Sequence, residues 1–139
     1  MLWDRSPNAG FCPSSVLPWL PITQDYNSIN VKVQQQDSRS FLWLTRALLQ
    51  LRQQQSALQL GDYTSVYSPS ELFCYRRFTE TSDILVALNF SSEYCRWILP
   101  EEFRNRSTVL LSTFMDRRGG QLGDTLELRG YEGLIVGRG

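Results

Sequence analysis

After Gly61 the apolar residues no longer recur at helical spacing; they gather in short runs separated by turn residues. The runs cover 63–68, 72–78, 84–90, 95–99, 108–113, 125–129 and 133–136. Between them stand Ser68-Pro69-Ser70, residues 80–83, Ser91-Ser92-Glu93, residues 117–120 and Gly130. Short β-like runs at this spacing, with no helix between them, predict an antiparallel β-sandwich. Leu126 and Leu128 alternate with Thr125, Glu127 and Arg129, as a strand with one wet and one dry face requires. Residues 84–88 are apolar throughout and predict a central strand.

Residues 38–56 carry the one strong helical pattern. Phe41, Leu44, Ala47, Leu48 and Leu51 follow the i, i+3, i+4, i+7 rule. Asp37 is the expected N-cap, and Arg52 lies where the helix dipole favours a cation. Leu42, Trp43 and Leu49 widen the apolar face, so the helix is expected to be covered on more than one side. Residues 1 to about 36 show no sustained periodicity and hold four prolines with Gly10. They read as a long irregular segment, packed through Trp3, Phe11, Trp19 and Tyr26. A long loop of this kind is often functional. The expected fold class is therefore mainly β, with the sandwich preceded by a long loop and one α-helix.

Composition narrows the chemistry. Fourteen basic and 14 acidic residues leave a formal net charge of zero, which is no footprint for nucleic acid. There is no histidine, so serine–histidine and cysteine–histidine nucleophilic sites are excluded within the chain. Cys12, Cys74 and Cys95 lack metal-ligand spacing and make no disulfide framework. No metal, no cofactor and no membrane partner is expected. No apolar run reaches the ~18 residues of a membrane span, and the first residues do not form a secretion signal. A cytoplasmic location is expected.

The opening residues carry a resemblance. Met1-Leu2-Trp3-Asp4-Arg5-Ser6-Pro7-Asn8-Ala9-Gly10-Phe11 resembles a stretch of the α-glucosidases and related enzymes of glycoside hydrolase family 13. Pro18-Trp19-Leu20-Pro21, Tyr26-Asn27-Ser28-Ile29-Asn30-Val31, Leu48-Leu49-Gln50-Leu51-Arg52 and Gly61-Asp62-Tyr63 follow in the family's order. The strand at 85–90 and the closing Leu128-Arg129-Gly130-Tyr131-Glu132-Gly133 match as well.

The resemblance implies that residues 1–57 are the last loop and helix of a (β/α)8 barrel, and that 58–139 are a carboxyl-terminal β-sandwich domain. Barrel active sites are built from the loops after the strands, which makes Trp3 and Asp4 the substrate-loop candidates. Glycoside hydrolysis needs two carboxyl groups flanking the bond. In the family they come from earlier strands, and none of those motifs is present here. No residue of this chain is therefore assigned a catalytic role. Oligosaccharide would be bound only by the intact parent. Where the family usually has glutamine this chain has Leu2, and it opens inside the motif, which implies a truncated or split reading frame. A trehalose-forming isomerase and the non-catalytic transporter heavy chains share parts of the pattern and remain alternatives. The helix, orphaned from its barrel, is expected to promote self-association.

Overall fold

The computed structural model describes residues 1–139, which divide into two compact units, Met1–Arg46 and Ala47–Gly139. The first unit holds 3-10 turns at Pro7–Gly10 and Gln24–Asn27, and helix α1, Val31–Gln36. Helix α2, Phe41–Gln54, begins in the first unit and ends in the second. The second continues with helix α3, Ser56–Leu60, and strands β1 (Asp62–Val66), β2 (Leu72–Phe78), β3 (Asp83–Asn89) and β4 (Cys95–Ile98). After a 3-10 turn at Glu101–Phe103 come β5 (Ser107–Ser112), β6 (Gln121–Leu122), β7 (Thr125–Leu128) and β8 (Gly133–Arg138).

All strand pairs are antiparallel, and six strands form one sheet in the order β1-β2-β3-β8-β5-β6. Strands β4 and β7 pair separately, with Trp97 opposite Leu126. The period-2 pattern decides how these two layers meet. Cys74 lies opposite Ala87, Ala87 opposite Leu134, and Leu85 opposite Val136, so one apolar row crosses the large sheet. Those side chains pack with Leu99, Phe103, Leu126 and Leu128 into the main core. The expected sandwich is present, with one layer much smaller than the other. Cys74 sits in this core, and burial pushes its thiol up to about 12, so it behaves as a small apolar residue rather than a nucleophile.

The expectation of a single helix is corrected, since three form. Helix α1 is built from Val31, Lys32, Val33 and three glutamines, with too few apolar residues for a 3.6-residue period to show. Its cap is visible in the sequence: the Asn30 side chain accepts from the Val33 amide at 2.9 Å. Asp37 does not cap α2. Its carboxylate accepts from the Arg39 amide at 2.9 Å in the preceding turn, while Gln34 Oε1 takes the Leu42 amide at 3.0 Å. Of the aromatics expected to pack the first unit, Trp19 is 88% exposed.

The loop entering β8 is pinned by charge. Glu132, 1% exposed, accepts from Arg129 and Arg117 and from the Ser112 hydroxyl, the last at 2.6 Å. Arg129 also forks onto Asp116 at 2.6 and 2.7 Å. Burial pushes the Glu132 carboxyl up, but the hydrogen bonds from Arg129, Arg117 and Ser112 outweigh it and hold the group at about 2.

That pKa lies below the ordinary 4.5, so the stabilisation is complete above pH 4.5 and is lost as pH falls towards 2. It amounts to something on the order of 3 kcal/mol. Glu132→Gln is expected to cost about 3 kcal/mol at pH 7. The gap from wild type should shrink between pH 4.5 and 2, as read by urea unfolding.

Candidate functional site

The site suggested by Trp3 and Asp4 is built by hydrogen bonds more than by burial. The carbonyls of Leu2 and Trp3 accept from the Val31 and Lys32 amides, each at 3.0 Å, so the first turn of α1 holds the opening segment on one side. On the other side, the Trp3 and Asp4 amides both donate to the Ala9 carbonyl, at 2.9 and 3.4 Å. That carbonyl is delivered by an unusual turn. Asn8, Ala9 and Gly10 take φ of 57, 54 and 68° in succession, all left-handed. Such a conformation costs an L-residue about 1–2 kcal/mol. It persists here because Asn8 Nδ2 donates to the carbonyls of Pro13 and Val16, both at 2.9 Å, and Ala9 is fully buried. Gly10 is required twice over, since a Cβ there would stand 3.0 Å from Asp4 Oδ1 and 3.3 Å from Trp3 Cβ.

Asp4 is thereby fixed in a short turn. Its Oδ1 accepts from the Ser6 hydroxyl and, at 2.9 Å, from the Ser6 amide. The Ser6 hydroxyl, and then the Ser6 amide, hold its carboxyl below the usual aspartate range. Asp4 faces a hollow of about 330 Å³ with Arg5, Ser6, Asn30, Lys32, Val33 and Gln36. Arg5 is tethered by its Nε to the Asn27 carbonyl at 2.7 Å. The lining thus offers one carboxylate, two cations and neutral hydrogen-bonding groups, a set suited to a hydroxyl-rich ligand. Trp3 does not line the hollow and is 49% exposed. Its backbone is held on both sides, by the Ala9 carbonyl and the Lys32 amide. No group of three or more acidic, cysteine or histidine side chains converges to hold a metal ion.

Residues 1–61 match the family described as "Alpha amylase, catalytic domain". Over 137 residues, 97% of its length, the chain is 31% identical to an oligo-1,6-glucosidase of Bacillus cereus. It is 34% identical over 98 residues, 70% of its length, to a trehalose-6-phosphate hydrolase of Escherichia coli strain K12. The crystal structure of the trehalulose synthase MutB from Pseudomonas mesoacidophila MX-45 superposes on 98% of the chain, with a TM-score of 0.82 and 26% identity. The chain belongs to glycoside hydrolase family 13. It spans a quarter or less of the length of these relatives, 24% of both the oligo-1,6-glucosidase and the trehalulose synthase and 17% of the hydrolase.

Within this family 13 chain, the opening motif and the run at 26–31 are one structural unit. Ile29 and Asn30 precede the amides that hold Leu2 and Trp3. Reading the motif alone singled out Trp3 and Asp4. It missed Arg5, Asn30, Lys32 and Gln36, whose only signal was that two resembling stretches lie about 25 residues apart and fold onto each other. Asn89, which begins a glycosylation-like triplet, is committed elsewhere. It is 3% exposed, and its amide donates to the carbonyls of Glu93 and Arg129.

Asn30 is the residue on which this unit turns, being 2% exposed with its amide donating to the Tyr26 carbonyl at 2.7 Å. Asn30→Ala should cost about 1–2 kcal/mol and loosen the start of α1. Limited proteolysis is expected to cut faster before residue 37, with fragments covering 62–139 surviving as in wild type; mass spectrometry of the digest reads both.

Proposed function

We propose that the chain is the carboxyl-terminal part of an α-glucosidase-like glycoside hydrolase whose parent cleaves α-glucosidic bonds in oligosaccharides. The observation that carries this reading is the 31% identity to an oligo-1,6-glucosidase along 97% of the chain, over only 24% of that enzyme. In this reading residues 1–57 are the last loop and helix of the barrel, and 58–139 the appended β domain. The part itself supplies no catalytic carboxylate. Its contribution is positional: the left-handed turn and α1 hold Trp3 and Asp4 at the rim of a hydroxyl-binding groove completed by the rest of the barrel. The parent needs no cofactor and binds oligosaccharide in the cytoplasm. No helix of the chain is long and apolar enough to cross a membrane.

The second reading is a sugar isomerase, favoured by the match to trehalulose synthase. Substituting this chain for the segment it matches in the Bacillus cereus oligo-1,6-glucosidase separates the readings from failure. The chain alone is expected to leave an aryl α-glucoside untouched, whereas the chimera should release aglycone. An inactive, unfolded chimera would overturn the proposal, and conversion of sucrose to an isomer without hydrolysis would favour the second reading.

Helix α2 gives the isolated chain its partner. Phe41 is 81% exposed, Leu49 57% and Leu48 38%, and burial of each such side chain is worth about 1.5–3 kcal/mol. The isolated chain is expected to self-associate through this face. Replacing Phe41, Leu44 and Leu48 with serine should lower the mass seen by light scattering, with the β unit's circular dichroism unchanged.

A further inference from the structure

The six-stranded sheet ends on β1, and there its edge is open. On its inner side β1 pairs with β2 from Asp62 opposite Phe78 to Val66 opposite Cys74, with no register shift. Outside that pairing, no backbone group of residues 62–66 takes part in a hydrogen bond. The outward N–H and C=O groups are therefore free to receive a further strand. The other edges are protected. Strand β6 has only two residues. Strand β4 has four and carries the exposed Arg96, while on β7 the Glu127 carbonyl is taken by Arg117 Nη2 at 3.0 Å. Strand β1 has none of these devices. It is five residues long, holds no lysine, arginine or proline, and bears its one charge, Asp62, at its start. Tyr63, Thr64 and Val66 are residue types that favour extended pairing.

We infer, independently of the function proposed above, that β1 is the pairing surface for β1 of a second copy of this chain. The two six-stranded sheets join edge to edge about a two-fold axis through Thr64. What selects a second copy is the order of residues along the strand. An antiparallel pair centred on Thr64 sets Thr64 against Thr64, Tyr63 against Ser65 and Asp62 against Val66. Each contact occurs twice, so the pair closes on itself and leaves no further β1 edge. The single charge meets a valine at both ends, so no like charges stand opposite each other, and threonine opposite threonine is a favourable cross-strand pair. The two Tyr63 rings, each 56% exposed in the single chain, fall on the diagonal, within reach of one another. A contact of five residues a side is smaller than a permanent interface, so the dimer is weak and depends on concentration.

The test separates this contact from association through α2 by using the chain with Phe41, Leu44 and Leu48 replaced by serine. In sedimentation velocity that chain should run mostly as dimer at about 200 μM and as monomer at about 5 μM. Adding Thr64→Lys, or Thr64→Glu, sets a like charge against itself across the axis, and each variant alone should be monomeric at about 200 μM. An equimolar mixture of the two pairs opposite charges and should recover the dimer. Thr64 is exposed, so the melting temperature of either variant should stay within about 4 °C of its parent. The same mixing in the otherwise unaltered chain should give a higher mass than either variant alone, whatever α2 contributes. A monomer at about 200 μM before Thr64 is changed, a dimer that survives Thr64→Lys, or a mixture no heavier than its components would each overturn the pairing.

Discussion

The second unit depends on β3 being apolar without a break from Ile84 to Leu88. An alternating strand would have oriented one face to a core and the other to water. Ile84 through Leu88 cannot do this, and so they oblige the sheet to have two covered sides. The main core forms on one side because Leu85 and Ala87 meet Leu134, Val136 and the β4–β7 pair. On the other side α3 meets Ile84 and Val86. The central position of β3, between β2 and β8, follows from the same property, since an edge would leave both apolar faces half in water.

Charge then fixes what packing leaves free. Asp83, 6% exposed, receives Arg76 in a fork at 2.7 and 2.8 Å and Arg138 at 3.2 Å, tying the start of β3 to β2 and β8. Glu132 does the same work at the entry to β8 with Arg117 and Arg129. A buried carboxylate is a liability unless it is fully paired, and both groups are held by two guanidinium partners. The arginines are not a ligand-binding cluster. At both sites their function is to make buried acids tolerable and to set the register of β8 against its neighbours.

Most of this unit was legible in the residues. The run at 72–78 coincides with β2, and six other runs lie within two residues of a strand end. The period of two is clearest in β7, where Leu126 and Leu128 are buried and Glu127 between them is exposed. Strand β6 escaped notice because Gln121 and Leu122 are too short to show a period. Helices α1 and α3 escaped for the same reason, at six and five residues. Trp19 misled for another reason. Aromatic content signals packing only where partners exist, and within the first unit Trp19 finds an open apolar hollow with Phe11, Leu20 and Ile22.

The first unit is organised on a different principle, which is why the side chains gathered around Asp4 left no pattern in the sequence. Of its 46 residues only Ala9 and Asn30 are buried. Its geometry comes from backbone pairing, Leu2 and Trp3 with α1 and Ala9 with Trp3 and Asp4, and from side chains that bond to backbone, Asn8 and Asn30. Hydrogen bonds fix direction well but contribute only about 1 kcal/mol each to stability. A unit held mainly by them presents its residues in a defined arrangement while relying on neighbouring apolar surface for much of its stability. The proposed place of this segment, at the rim of a substrate groove, calls for such a division: direction from hydrogen bonds, and burial from the body on which the loop would rest.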